Sequence, residues 1–164
     1  MYYVNIFFLF SILGHFIENF FYTTKDSGIL YGWWTPIYGI GVVTIIGIYN
    51  YIDKKFKLKK GTKFVIVFLI GAIGLALLEF IGGVLIEKIF RVTFWDYSDD
   101  PLSIGRYTSP KMSLVWGISS LFVIYILKPI IDKTMNHIPR VISYILITLF
   151  MIDCFLTFAP NLIK

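Results

Sequence analysis

Residues 64–90 read FVIVFLIGAIGLALLEFIGGVLIEKIF. At about 1.5 Å per residue this run crosses a hydrocarbon layer about 30 Å thick, with length left over for tilt. Glu79 stands well inside it, after Gly71 and Gly74 and before Gly82 and Gly83. Glycines at this density let another helix backbone approach closely. A carboxylate in hydrocarbon costs roughly 2.5–3.5 kcal/mol on insertion scales, so it marks a functional site by default. It must be neutral, paired or facing water, because desolvation disfavours the charged form. The alternative is a structural hydrogen bond that only fixes helix packing.

Four further apolar runs lie outward from this one, over residues 2–22, 34–52, 112–131 and 141–158. Pro36 falls in the first turn of the second run, where a missing N–H costs least, and the last run is expected to stop at Ala159 and Pro160. Hydrophobic residues make up 57% of the chain and charged residues 15%, with a mean hydropathy of +0.77. A soluble domain has about 25% charged residues, so this chain lacks the polar surface to face water all round. The expectation is an all-α polytopic membrane protein, one domain over residues 1–164. It would have five transmembrane helices and no room for a soluble catalytic domain. The N-terminus lacks the basic region and small-residue cleavage site of a signal peptide, so it should remain as the first span. A polar hairpin over residues 23–28 and the interfacial rings Trp33 and Trp34 precede the second span. Cys154 is the single cysteine, which rules out an internal disulfide and reads as a buried packing thiol.

Lys54, Lys55, Lys57, Lys59, Lys60 and Lys63 crowd one short loop, which the positive-inside rule places in the cytoplasm. Threading five spans from there puts the N-terminus inside and the C-terminus outside, in the cell membrane. The turn with Lys133, His137 and Arg140 then also falls inside. Lys88, Arg91, Arg106 and Lys111 fall outside, against the rule, though acidic neighbours accompany them. The net charge of +5 is explained by orientation and anionic lipid headgroups better than by nucleic acid.

This topology gathers polar residues toward the outer halves of the spans. His15, Glu18, Glu79 and Asp153 come from spans one, three and five, and Tyr38 and Trp116 from two and four. The inner halves are nearly all Leu, Ile, Val and Phe. The expectation is a polar, acidic pocket opening to the extracytoplasmic side above an apolar floor. His15 and Glu18 lie three apart on one helix face, placed to shuttle a proton, to bind a metal with further ligands, or to satisfy each other. The loop over residues 91–110 joins Trp95, Asp96, Tyr97 and Arg106. It reads as a cap over the pocket, as an interfacial belt, or as a loop oriented by an Asp96–Arg106 pair, with Asp100 and Pro101 starting a turn and Gly105 allowing positive φ. Asp153 reads equally as a third intramembrane acid or as a wet residue near the interface. No zinc-protease, CxxC, P-loop, serine-elbow or cofactor motif is present, so no metal or cofactor is expected.

His15 to Glu18, Pro36 to Gly39, Glu79 to Gly82, Trp95 to Ser98, Gly105-Arg106 and Trp116-Gly117 occur in order over nearly the whole chain. Together they resemble a family of small bacterial membrane proteins classed as ABC-transporter permeases (the CmpB-like group), which also takes in the vertebrate transmembrane protein 229. That family often has Asn where this chain has Ser103, and Cys near Thr108 or Ser109. The resemblance implies a small permease subunit, with its ATPase or another membrane subunit as a separate protein. The functional expectation is a permease-like protein, homo-oligomeric or partnered, binding a small polar or amphiphilic molecule. Glu79 would be the central proton or substrate site, with Glu18 and His15 beside it and Asp96 and Arg106 holding the loop. An intramembrane enzyme acting on a lipid or isoprenoid group, using the same acids and His15, is the alternative. A non-catalytic membrane subunit is the third reading.

Overall fold

A computed structural model describes residues 1–21, 30–91, 93 and 95–162. The expected hairpin over residues 23–28 lies outside them. Five helices follow in order: α1 (Tyr2–Phe21), α2 (Pro36–Lys55), α3 (Lys60–Phe90), α4 (Pro110–His137) and α5 (Arg140–Leu162). No strand occurs among the described residues, only an isolated bridge between Ile104 and Thr108. Among the described residues, four helices are long and apolar enough to cross a membrane: Tyr2–Phe20, Lys60–Phe90, Pro110–His137 and Arg140–Ala159. α2 is not among them, because Thr44, Asn50 and the terminal Asp53, Lys54 and Lys55 dilute its apolar run. α5 continues past the expected stop at Ala159 to Leu162.

The chain forms two compact units, one of residues Met1–Ile40 with Ile131–Lys164, the other of Gly41–Ile130. In the first unit, α1 and α5 run parallel. Asn5 near the start of α1 accepts a 2.6 Å hydrogen bond from Ser143 near the start of α5, and its amide donates to the Met135 carbonyl at 3.3 Å. Tyr2 donates to Asp132 at the same end. Farther along, Phe7, Phe8, Phe150 and Trp34 pack edge to face. α1 meets the start of α2 where Gly39 lies against Ser11 and the Phe7 carbonyl.

In the second unit, α3 and α4 cross at Gly71. A Cβ there would sit 2.2 Å from Ser120 Oγ and 3.1 Å from the Trp116 carbonyl. Both helices widen into short π-helical segments near the crossing, Ile70–Leu75 and Val123–Leu127. Such segments interrupt the i→i−4 ladder and recur at functional sites. From within the first of them onward the faces of α3 separate cleanly. Ile73, Leu77, Ile81, Leu85 and Ile89 are exposed at four-residue intervals, while Leu75, Glu79 and Gly83 are buried. The outward stripe is the one that hydrocarbon would cover. Gly71→Val should cost roughly 2–3 kcal/mol through overpacking at the crossing. Thermal unfolding in detergent checks this, and an unchanged midpoint would contradict the crossing.

Candidate functional site

The residues singled out by sequence fall into two sets, one in each unit. In the first unit Asp153 is 8% exposed and sits in a cradle of donors. Its Oδ1 accepts from the Tyr31 N–H at 3.0 Å and Thr157 Oγ1 at 3.2 Å. Its Oδ2 accepts from the Gly32 N–H at 2.6 Å and Trp34 Nε1 at 2.8 Å. Gly32 is required by this geometry, since a Cβ on it would lie 2.6 Å from the carboxylate and 2.0 Å from the indole nitrogen. Asp153 is thus not a wet residue; it anchors the segment that leads into α2.

The same segment carries the partners of Glu18. Thr35 Oγ1 donates to its carboxylate at 3.5 Å and Tyr38 is a second hydrogen-bond partner, while the Thr35 N–H bonds the Ser11 carbonyl at 2.9 Å. His15 does not pair with Glu18. Its Nε2 lies 2.9 Å from the Asn19 amide one turn on, and its buried Nδ1 has no hydrogen-bond partner among the described residues. Tyr38 packs on Gly14, where a Cβ would be 2.5 Å from the ring. That contact aims the phenol along α1 toward Glu18, three residues after His15.

In the second unit Glu79 is 3% exposed, and two different elements hold its two oxygens. Tyr97 Oη donates to Oε1 at 2.9 Å and Trp116 Nε1 donates to Oε2 at 3.2 Å. Thr108, also buried, is a more distant neighbour of this carboxylate, and its Oγ1 makes no hydrogen bond among the described residues. Gly83, one turn after Glu79, makes room for Tyr107 and Trp95. A Cβ on it would meet the Tyr107 ring at 2.6 Å and Trp95 at 3.3 Å. One turn farther, Glu87 Oε2 accepts from the Tyr107 phenol at 2.6 Å, which holds that phenol's pKa above the usual tyrosine value. Residues 95–109 of the loop are therefore laid along one face of α3, with phenols on Glu79 and Glu87 and an aromatic contact on the glycine between them.

The loop's own fold is built from short local bonds. Trp95 Nε1 bonds the Tyr107 carbonyl at 3.0 Å, the Tyr97 N–H bonds the Arg106 carbonyl at 2.9 Å, and the Ile104 N–H bonds the Thr108 carbonyl at 2.9 Å. Asp96 accepts first from Ser98, from the N–H at 2.9 Å and the hydroxyl at 2.5 Å, which keeps its carboxyl below the usual range. Arg106 stands 3.9 Å from Asp96 and 4.0 Å from Glu87, with Thr93 Oγ1 at 3.3 Å. The expected Asp96–Arg106 pair is thus real but long and solvent-facing, and such pairs orient a loop weakly. Asp100 takes a 2.8 Å bond from Ser109 and a 3.2 Å bond from Lys111, which together lower its pKa. Ser109 in turn caps α4 by accepting from the Met112 N–H at 3.2 Å, ahead of Pro110.

A family model described as "Putative ABC-transporter type IV" matches residues 5–158. The chain belongs to this family. No curated protein and no solved structure matches it. This ABC-transporter type IV member is a membrane protein of a transport-related family, and four of its described helices are long and apolar enough to cross a membrane. Among the described residues of this family member, no group of three His, Cys, Asp or Glu side chains converges as metal ligands would. Sequence reading passed over Gly32, Thr35, Tyr107 and Thr108 as site residues. Tyr107 was the one with a visible signal, because it follows Gly105 and Arg106 directly and offers a phenol to whichever acid of α3 lies opposite.

Proposed function

We propose that this protein is the membrane subunit of an ABC-type transporter. In this reading all five helices span the cell membrane, α2 included, with the lysine-rich turn between α2 and α3 in the cytoplasm. The substrate is a small polar or amphiphilic molecule that enters from the extracytoplasmic side, where a polar pocket opens when the loop over residues 91–110 lifts from α3. Glu79 is the proton- or substrate-binding carboxylate of that pocket. His15 and Glu18 form a second polar set on α1, and Asp96 and Arg106 tune the closed position of the loop.

The observation that carries this reading is the pair of donors on Glu79. One of them, Tyr97, belongs to the loop; the other, Trp116, belongs to a helix. A carboxylate that only stapled helices together would not need a partner on a segment outside the spans. When a proton or a substrate cation takes the Glu79 charge, the Tyr97 bond weakens and the loop is freed. The family match supplies the transport class. In this reading the ATPase is a separate subunit; no P-loop sequence occurs within residues 1–164.

Purification from the native membrane in mild detergent tests this. The expected result is recovery of a nucleotide-binding subunit and ATP hydrolysis by the complex. Reporter fusions to residues 56 and 136 should both report the cytoplasm. Recovery of the chain free of any ATPase, or an extracytoplasmic signal at residue 56, would overturn the assignment.

A further inference from the structure

The tip of the loop between α3 and α4 presents leucine where turn chemistry asks for glycine or asparagine. The Ser103 N–H bonds the Asp100 carbonyl at 3.2 Å, closing a turn with Pro101 at its second position and Leu102 at its third. Leu102 has φ +59°, in the left-handed region where a Cβ is strained. Gly or Asn is the usual occupant of such a position. The leucine gains nothing from packing inside the chain either, since it is 84% exposed, and Ile104 beside it is 60% exposed. Both backbone strain and exposure to water oppose a leucine here, so its stabilising contact lies outside the chain.

We propose that residues 102–104 dip into the lipid of the adjoining leaflet and anchor the loop to the membrane. The loop is tied at both ends to apolar helices long enough to span, so its tip lies within a few residues of the bilayer surface. The Ile104–Thr108 bond and the Asp100–Ser109 bond fold the tip back to the first turn of α4. Exposed Lys88 and Arg91 stand at this end of α3 and suit lipid phosphates. A lipid occupant fits these features better than a protein partner, which would not need the flanking cations. The inference stands apart from any role for Glu79.

The test uses an environment-sensitive fluorophore on a cysteine at position 102 or 104, in a Cys154→Ser background. The protein is reconstituted in vesicles of phosphatidylcholine and phosphatidylglycerol, with a probe at exposed Asp99 as the reference. The expected result is blue-shifted emission at 102 and 104 that brominated acyl chains quench and iodide does not, with the reverse at 99. Iodide quenching at 102 equal to that at 99 would overturn the proposal. So would a blue-shifted probe that neither agent quenches, because the tip would then be covered by protein. The fluorophore is itself apolar, so an unlabelled arm is needed. The variant Leu102→Asn with Ile104→Asn should melt like the parent in detergent yet be cut faster by trypsin at Arg106 in vesicles. Equal cleavage rates would count against insertion.

Discussion

Asp153→Asn is expected to destabilise the protein by roughly 2–4 kcal/mol, although it changes a single atom. The reason lies in which donors can reverse. Oδ2 faces the Gly32 N–H and the Trp34 indole, and Oδ1 faces the Tyr31 N–H and the Thr157 hydroxyl. Only the hydroxyl can turn to accept. Whichever way an Asn amide is placed, its NH2 group confronts a backbone N–H that has no acceptor to offer. The segment that leads into α2 then loses its anchor, and with it the hold of Thr35 and Tyr38 on Glu18. The measurement is thermal unfolding in detergent, with a fall of roughly 4–16 °C expected from the usual slope of melting temperature on stability. Thr157→Val is the companion, removing one reversible donor and little stability. A native midpoint for Asp153→Asn would mean that the carboxylate is not in its cradle.

Glu79 should respond in the opposite way to the same chemical change. Trp116 Nε1 can only donate, but the Tyr97 hydroxyl can donate or accept. Glu79→Gln can therefore place its carbonyl on the indole and its amide on the phenol, keeping both bonds while removing the charge. Glu79→Ala removes the acceptor of both donors, at a cost of roughly 2 kcal/mol. Unfolding midpoints should rank the parent first, Glu79→Gln slightly below it through a weaker Tyr97 bond, and Glu79→Ala lowest. Tyr97→Phe should fall between, because it frees the loop while leaving the indole bond in place. A Glu79→Gln protein as unstable as Glu79→Ala would show that the carboxylate is needed for folding alone.

The contrast between these two acids marks how far the sequence could be read. The all-helical character followed directly from apolar runs longer than a bilayer needs, and Glu79 declared itself by its depth in the run over residues 64–90. The Asp100–Pro101 turn and the positive φ at Gly105 followed from residues with few conformational options. Partners were another matter. His15 and Glu18, three apart on one helix, seemed made for each other, yet His15 turns to Asn19 and Glu18 to Thr35 and Tyr38. Helical spacing says which side chains share a face, not which of several neighbours reaches them first. Asp153 was unreadable for a related reason. Two of its donors are backbone N–H groups, which every residue but proline carries, and nothing in a sequence marks where they will point. The π-helical segments were equally hidden, except that the glycines at 71 and 74 fall within the first of them.

The central claim is that the charge of Glu79, rather than its hydrogen bonds, serves transport. The most direct measurement is ATP hydrolysis by the purified complex in lipid nanodiscs, compared between the parent and Glu79→Gln at equal subunit content. We predict at least a roughly tenfold loss of turnover, the size expected when one functional charge worth about 1.4 kcal/mol or more is removed, while the complex stays assembled. Native turnover by an assembled Glu79→Gln complex would contradict the claim and leave Glu79 as a structural staple.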